Sequence, residues 1–341
     1  MPLPKSVTAA LKSWRSVFGE GTKVESFVKQ RYLNRIETEI KKESGPGWVQ
    51  YSGRRSVVVS ESDDFPEPRR GILLKGGCDL PSVFTAAPLM REGIHGTIAI
   101  SRHIGGTGGN RSDQILQTLD ALDPDAIAET AEMLELGDDY FKPTFFTKTF
   151  RVPQMPDAGE FPKNLIVMGI STDETRQMYR HREHGFVADP GGWWLNQDLG
   201  RVLDDRETVD WFRRNFKRVG RLSPDEFRKY NMRLVQEIRE RVGAQVMYYN
   251  TMVLDPDNPT HNYQLVKTAH SVRRREFTIA LAELSRDLDF PIVDVDRILK
   301  MSGVSEQVDF AHFPVDRMIP IGAEVYRILE ATDLLNVDTS R

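Results

Sequence analysis

The sequence predicts an α/β protein, a flavodoxin-like three-layer sandwich built on a five-stranded parallel sheet. Three observations predict it. Five apolar runs of strand length recur along the chain: ILLK (72–75), GTIAIS (96–101), LIVMGIS (165–171), AQVMYYNTMVL (244–254) and PIVDVD (291–296). Helical patterns separate these runs, and runs that are apolar throughout belong to strands buried on both faces, as in a parallel sheet covered by helices. The chain is also long enough for a large core, with 341 residues of which 39% are hydrophobic and 28% charged, the profile of an ordinary globular domain.

Taken in order, residues 1–43 read as helical, because Leu11, Trp14, Val17 and Phe18, then Val24, Phe27, Val28 and Tyr32, keep a 3.6-residue spacing. Gly45-Pro46-Gly47 stops that pattern. WVQYSGRRSVVVS (48–60) reads as a hairpin, two β-rich runs about a Ser-Gly-Arg turn, and ESDDFPEPRR (61–70) as a linker. Residues 1–65 are therefore an expected N-terminal helical and hairpin extension, and 66–341 the α/β domain, with long inserts around 120–164 and 174–222. A helix is expected from Asp123-Pro124, while 141–156 is aromatic and punctuated by proline. Residues 179–198, with Trp193 and Trp194 beside paired glycines, read as a long loop that serves either as a pocket wall or as an anchor. The clearest helix starts at Ser223, with Pro224 in the first turn and Glu226 completing a capping box. Its buried stripe is Phe227, Tyr230, Leu234 and Ile238, and Gly243 ends it. Phe277, Leu281, Leu284 and Leu288 make a second stripe, and IGAEVYRILEAT (321–332) the closing helix.

Composition excludes several classes of function. The net charge is −4, so no basic field recruits nucleic acid or anionic lipid. No apolar stretch reaches the roughly 18 residues that span a bilayer, and MPLPKSVTAALKSW lacks the apolar region of a secretory signal. A single cysteine leaves no internal disulfide framework and no cysteine-rich zinc site. A cytoplasmic protein without metal or organic cofactor is the expectation; the sequence carries no sign of its oligomeric state.

Ligands of open parallel sheets bind beyond the carboxyl ends of the strands. After the first run come Gly76-Gly77-Cys78-Asp79, after the second HIGGTGGN (103–110), after the third Ser171 and Thr172, and after the fourth Asn250. Beyond the fifth lie Asp309-Phe310-Ala311-His312. A carboxylate three residues before a histidine holds one imidazole nitrogen protonated and leaves the other to take a proton. Cys78 reads in two ways: as a small buried hydrophobe, the usual state of free cysteine, or as a thiolate favoured by a helix that starts just after it. HIGGTGGN lacks the spacing of a phosphate loop, and His181, His184 and Asp189 suit a polar loop better than a zinc site. Asp294 and Asp296 flank Val295 on the fifth run and so are expected on the same face, and Arg273-Arg274-Arg275 reads as a solvated helix face.

The order strand, glycine turn with a nucleophile, strand with a glycine turn, three further strands, D-x-x-H and a helix resembles the SGNH, or GDSL-type, hydrolase superfamily over roughly residues 70–332. The resemblance implies that position 78 is the nucleophile, His312 its base and Asp309 the residue that orients the base. It further implies that Gly106, with Gly77 and the backbone around it, lies on the oxyanion side. The family's Gly-Asp-Ser turn reads here Gly76-Gly77-Cys78, and its Gly-x-Asn-Asp block reads Gly169-Ile170-Ser171-Thr172. Ser171, Thr172 and Asn250 are therefore the candidate side-chain donors to the oxyanion or substrate. The implied activity is ester or thioester chemistry on a small-molecule or carrier-bound acyl substrate, through an acyl-enzyme on Cys78. The alternatives are a catalytically degenerate binding protein of the same fold and a flavodoxin-like nucleotide binder using the 103–110 turn.

Overall fold

The computed structural model describes residues 40–53, 56–77, 79–86, 95–103, 111–137, 139–152, 154–191, 199–203, 205–253, 269–303 and 315–334. Its first strands are β1 (Lys41–Gly45), β2 (Trp48–Ser52), β3 (Ser56–Ser60) and β4 (Arg69–Lys75). Helix α1 (Asp79–Ala86), strand β5 (Thr97–Arg102) and helices α2 (Ser112–Gln117) and α3 (Pro124–Met133) follow. The middle of the chain holds β6 (Thr149–Arg151), β7 (Glu160–Pro162), β8 (Leu165–Gly169), α4 (Ser171–Thr175), β9 (Met178–His181) and β10 (Val187–Ala188). Next are α5 (Leu199–Val202), α6 (Arg206–Asn215), β11 (Phe216–Gly220), α7 (Pro224–Glu237) and β12 (Gln245–Tyr249). Helix α8 (Ala269–Leu288), strand β13 (Ile292–Val293) and helices α9 (Val295–Met301) and α10 (Val315–Thr332) complete it.

Among the described residues the main sheet has eight strands, in the order β1-β2-β3-β5-β4-β8-β12-β13, where five were expected. Strands β5, β4, β8, β12 and β13 are parallel to one another. The additional three are antiparallel, β3 on β5, β2 on β3 and β1 on β2. The hairpin expected inside a separate extension thus pairs directly with the sheet. Its β3 is buried along its whole length, and an edge that buries apolar side chains needs its backbone groups paired. The helix expected to reach residue 43 gives way to β1 at 41–45, where Trp48 packs across Gly45. The rest of that helical pattern, 1–39, lies outside the described residues.

Alternation along the parallel strands feeds two cores. Ile72, Leu74, Val167, Met247 and Val293 face α1, α9 and α10, packing with Leu80, Val83, Leu299, Ile321 and Val325. Leu73, Ile166, Met168, Val246 and Tyr248 face α7 and α8, packing with Phe227, Leu234, Phe277 and Leu281. Ser223 and Glu226 form the capping box of α7, which ends through a single π turn at Ile238–Val242 before left-handed Gly243 (φ 76). Three runs are shorter than expected. The third stops at Gly169 and turns into α4, and the fourth stops at Tyr249. The fifth has two strand residues, because Asp294 caps α9 by accepting from the Arg297 N–H; Asp294 and Asp296 therefore do not share a strand face.

The inserts are not loose loops. Tyr179, Phe186, Trp211, Phe212 and Phe216 pack with Ala126, Leu134, Leu136 and Tyr140 in a core of their own. Strands β10-β9-β11 form a small antiparallel sheet over part of 178–220, and β6 pairs with β7. Gln117 on α2 ties this third core to the main sheet's helices, donating to the Val187 carbonyl at 2.7 Å and accepting from its N–H at 2.7 Å. Trp193 and Trp194 lie outside the described residues.

The β6–β7 hairpin presses on β4 at Gly71, where a Cβ would stand 2.1 Å from the Pro162 carbonyl oxygen and 2.6 Å from the Phe150 ring. Gly71→Ala should therefore lower the stability in urea by about 1–3 kcal/mol. A loss within error of zero would mean that the hairpin is not seated on β4.

Candidate functional site

The carboxyl ends of β4, β8 and β12 lie side by side, and the first residues beyond them are the ones that the sequence singles out. Gly76 and Gly169 approach so closely that a Cβ on Gly76 would meet the Gly169 Cα at 3.2 Å. Two glycines are thus what lets the β4 and β8 ends close on each other. Gly77 follows, half-buried, and α1 begins at Asp79. Ser171 and Thr172 open α4, Ser171 half-buried and Thr172 buried. Asn250 is buried at the β12 end, where its Nδ2 donates to Asp294 Oδ1 at 2.9 Å and its Oδ1 accepts from the Asp296 N–H at 3.4 Å. Its amide joins two strand ends and is directed at α9. Cys78, Gly106, Asp309 and His312 lie outside the described residues, as does the rest of the turn at 104–110.

Beneath these strand ends is a polar network that the sequence reasoning missed. Lys75, the last residue of β4, is 1% exposed and donates to Asp173 Oδ2 at 2.8 Å and to Ser112 Oγ at 3.0 Å. Asp173, on α4, also accepts from the Ser112 N–H at 2.6 Å and from Asn231 Nδ2 at 3.3 Å. The Ser112 hydroxyl lies 2.7 Å from Asp173 Oδ2 and 3.0 Å from Asn231 Oδ1, and Asn231 Oδ1 accepts from the Tyr248 hydroxyl at 2.8 Å. Ser112 has no accessible surface and its hydroxyl is enclosed by three partners, so it holds the framework and does not attack a substrate.

A second layer of charge surrounds this network. Glu174 accepts from Arg274 Nε at 3.2 Å and from Thr251 Oγ1 at 3.2 Å. Arg111 forks onto Asp113 at 2.8 and 2.6 Å, and Arg176 pairs with Asp189 at 3.2 Å. The run 273–275 is thus not a solvated face: Arg274 is buried on Glu174, Arg273 is half-buried and only Arg275 is exposed. Asp189 is committed to Arg176 and to the Gly191 N–H. His181 lies on β9, its ring stacked on Phe186 at 5.0 Å and tilted against His184 at 4.8 Å. No group of three metal-binding side chains occurs among the described residues, and no described helix is long and apolar enough to cross a membrane.

His103 follows β5 directly, its ring edge-on to Phe145 at 5.0 Å. Burial, then the charges of Lys163 and Arg102, push its imidazole down to about 3, so it is neutral at ordinary pH. Lys163 itself is buried among neutral acceptors, the carbonyls of Thr144 and Phe145 and the Thr147 hydroxyl, and burial lowers its ammonium to about 8.

No protein-family model matches the chain, and no curated protein matches it. Among solved structures it is similar to a catalytic mutant of an acetylxylan esterase from Geobacillus stearothermophilus, at 9% identity and a TM-score of 0.37, over 82% of this chain and 99% of that one. It is also similar to an aryl esterase from M. smegmatis, at 13% identity and a TM-score of 0.32, over 77% of this chain and 99% of that one. An α/β hydrolase enzyme from the metagenome of Lake Arreo, Spain, is 14% identical, with a TM-score of 0.34 over 81% of this chain and 100% of that one.

Two outcomes follow from these contacts. Asp173→Asn leaves the Lys75 ammonium buried without its counter-charge, and should cost about 3–5 kcal/mol in urea unfolding; an unchanged midpoint would mean that Lys75 reaches water. His103 takes up its proton in the unfolded chain near the ordinary value of 6.5 and in the folded chain only near 3. Stability should therefore fall as the pH drops through that window, because the unfolded state binds the extra proton. In His103→Gln that fall should be shallower, measured by thermal unfolding between the two limits.

Proposed function

We propose that the protein is an SGNH-type acyl hydrolase or acyltransferase that works through an acyl-enzyme on Cys78, with His312 as base and Asp309 orienting it. One observation carries the reading. Helix α1 begins at Asp79, directly after Cys78, and α10 begins three residues after His312; the two helices pack against each other in one core on one face of the parallel sheet. This supports a shared location for the two stretches at the strand ends, where parallel sheets bind their ligands.

The residues assign the steps. His312 takes the Cys78 thiol proton, and the thiolate attacks the acyl carbonyl carbon. The positive end of α1, which starts at the next residue, favours that thiolate. Charge on the carbonyl oxygen is met by N–H groups near Gly77 and Gly106, with Ser171 or Thr172 as side-chain donors. The carbonyl re-forms, the donor's leaving group departs with the proton from His312, and a thioester remains. Water, an amine or a thiol then gives its proton to His312 and attacks the thioester, which returns Cys78 as the thiol. A thioester yields readily to amines and thiols, so acyl transfer and thioester cleavage suit a cysteine at least as well as ester hydrolysis. The substrate class is a small-molecule or carrier-bound acyl group.

Cys78 is the only cysteine in the chain, so a single mass shift reports on it. Iodoacetamide near neutral pH should alkylate the native protein rapidly, and His312→Ala should slow that reaction at least tenfold while leaving the fold intact. An activated acyl donor should leave a mass adduct that hydroxylamine removes. A thiol that reacts only after denaturation, whether or not His312 is present, would make Cys78 a core residue and leave the binding-protein reading in its place.

A further inference from the structure

We infer that Arg221 and Arg273 form an anion-binding site, built to take a phosphate or carboxylate group beside α4 and the start of α7. The site rests on the short connection 220–222 between β11 and α7. Arg111 Nη1 donates to the Gly220 carbonyl at 2.7 Å, and Arg273 Nη2 donates to the Leu222 carbonyl. Two guanidinium groups are thereby fixed on either side of Arg221. Arg273 is held further by its Nε on the Glu174 carbonyl at 2.7 Å and by the Phe277 ring, 4.5 Å beneath its guanidinium.

What separates these two arginines from the others nearby is that neither forms an ion pair with a described carboxylate. Arg111 has Asp113, Arg176 has Asp189 and Arg274 has Glu174. Arg273 spends its hydrogen bonds on backbone carbonyls. The Arg221 Nε is buried with no hydrogen-bond partner, and Arg221 makes no ion pair with a described carboxylate. Glu174 is the anion whose field reaches both, and its carboxylate oxygens are already taken by Arg274 and Thr251. Burial holds both guanidinium groups below the ordinary arginine range. Arg218 adds to this at Arg221, and Arg221 and Arg111 add to it at Arg273, against the opposing pull of Glu174 at both and of Glu276 at Arg273.

Two half-buried like charges, one of them bonded to the carbonyl of the residue that follows the other, raise the free energy of the fold. An oxyanion between them would remove the repulsion and satisfy the unused donors, and the planar fork of arginine matches phosphate and carboxylate in two-point contacts. Lysine, a compact and strongly hydrated point charge, would be the poorer residue for that task. This inference does not depend on acyl chemistry at Cys78, since none of its residues takes part in that reaction.

The test is the thermal midpoint of the whole chain in inorganic phosphate and, separately, in acetate, each against chloride at matched ionic strength. One anion or both should raise the midpoint by about 2 °C or more in the wild type. Response to phosphate alone identifies a phosphate group as the ligand, and response to acetate alone a carboxylate. Arg221→Gln should abolish the rise. In chloride the same variant should melt no lower than the wild type, because it loses a repelled charge and no hydrogen bond. Arg273→Gln, which does lose backbone contacts, should melt lower in chloride and also fail to respond. A wild type indifferent to both anions, or an Arg221→Gln variant that responds as the wild type does, would overturn the proposal.

Discussion

The Lys75–Asp173 ion pair is the constraint on which the arrangement of the strand ends depends. An ammonium and a carboxylate with almost no exposure carry a desolvation cost of several kcal/mol each, which their attraction offsets only when the remaining donors and acceptors are also satisfied. Here they are: Ser112, Asn231 and Tyr248 close the network, and they come from α2, α7 and β12. Five elements are thereby tied to one charge pair, and a half-satisfied version would be worse than an apolar core. Its worth is therefore in specifying geometry. It sets where β4 releases the chain into Gly76-Gly77, where α2 receives it after residues 104–110, and how α4 leaves β8.

The same logic extends outward. Arg111, Arg176 and Arg274 are buried, each with its own carboxylate, and each also donates to or sits beside a backbone segment of the inserts or of the β12 end. The inserts are thus anchored on two kinds of interaction. Their aromatic core around Phe212 and Phe216, stacked at 4.7 Å, supplies apolar burial, and the arginine-to-carbonyl bonds fix how that core meets the sheet. Against this background of matched charges, Arg221 and Arg273 stand out as the pair that makes no ion pair with a described carboxylate.

None of the residues proposed for catalysis belongs to this frame. Lys75, Ser112 and Asp173 would be an inviting serine–lysine–aspartate constellation by residue type alone, but full burial and complete hydrogen bonding make them support. Asn250 is a comparable case. It stands at a strand end, where the sequence points to a ligand, and its amide is used to join β12 to the cap of α9. Cys78 and His312, proposed for catalysis, instead precede the starts of α1 and α10 in the chain.

Local physics was enough for much of the architecture. The alternation that puts Leu73 on one face and Leu74 on the other, the capping box at Ser223 and Glu226, the Asp123-Pro124 start of α3 and the antiparallel pairing of β2 with β3 all follow from residues within a few positions of one another. So does the expectation that Gly77, Ser171, Thr172 and Asn250 fall at strand ends. What the tertiary structure alone decided involves partners far apart in the chain. Lys75 reads as the polar end of an apolar run until Asp173, 98 residues later, is seen to neutralise it; Arg274 reads as solvated until Glu174, 100 residues away, meets it. Residues 179–198 read as a long loop because β9 and β10 are too short to show a period, and Tyr179 and Phe186 are buried there because a second chain segment covers them. Periodicity and capping are properties of a segment, and the sequence by itself determined those; charge neutralisation and shared burial are properties of pairs, and only the folded chain brings the pairs together.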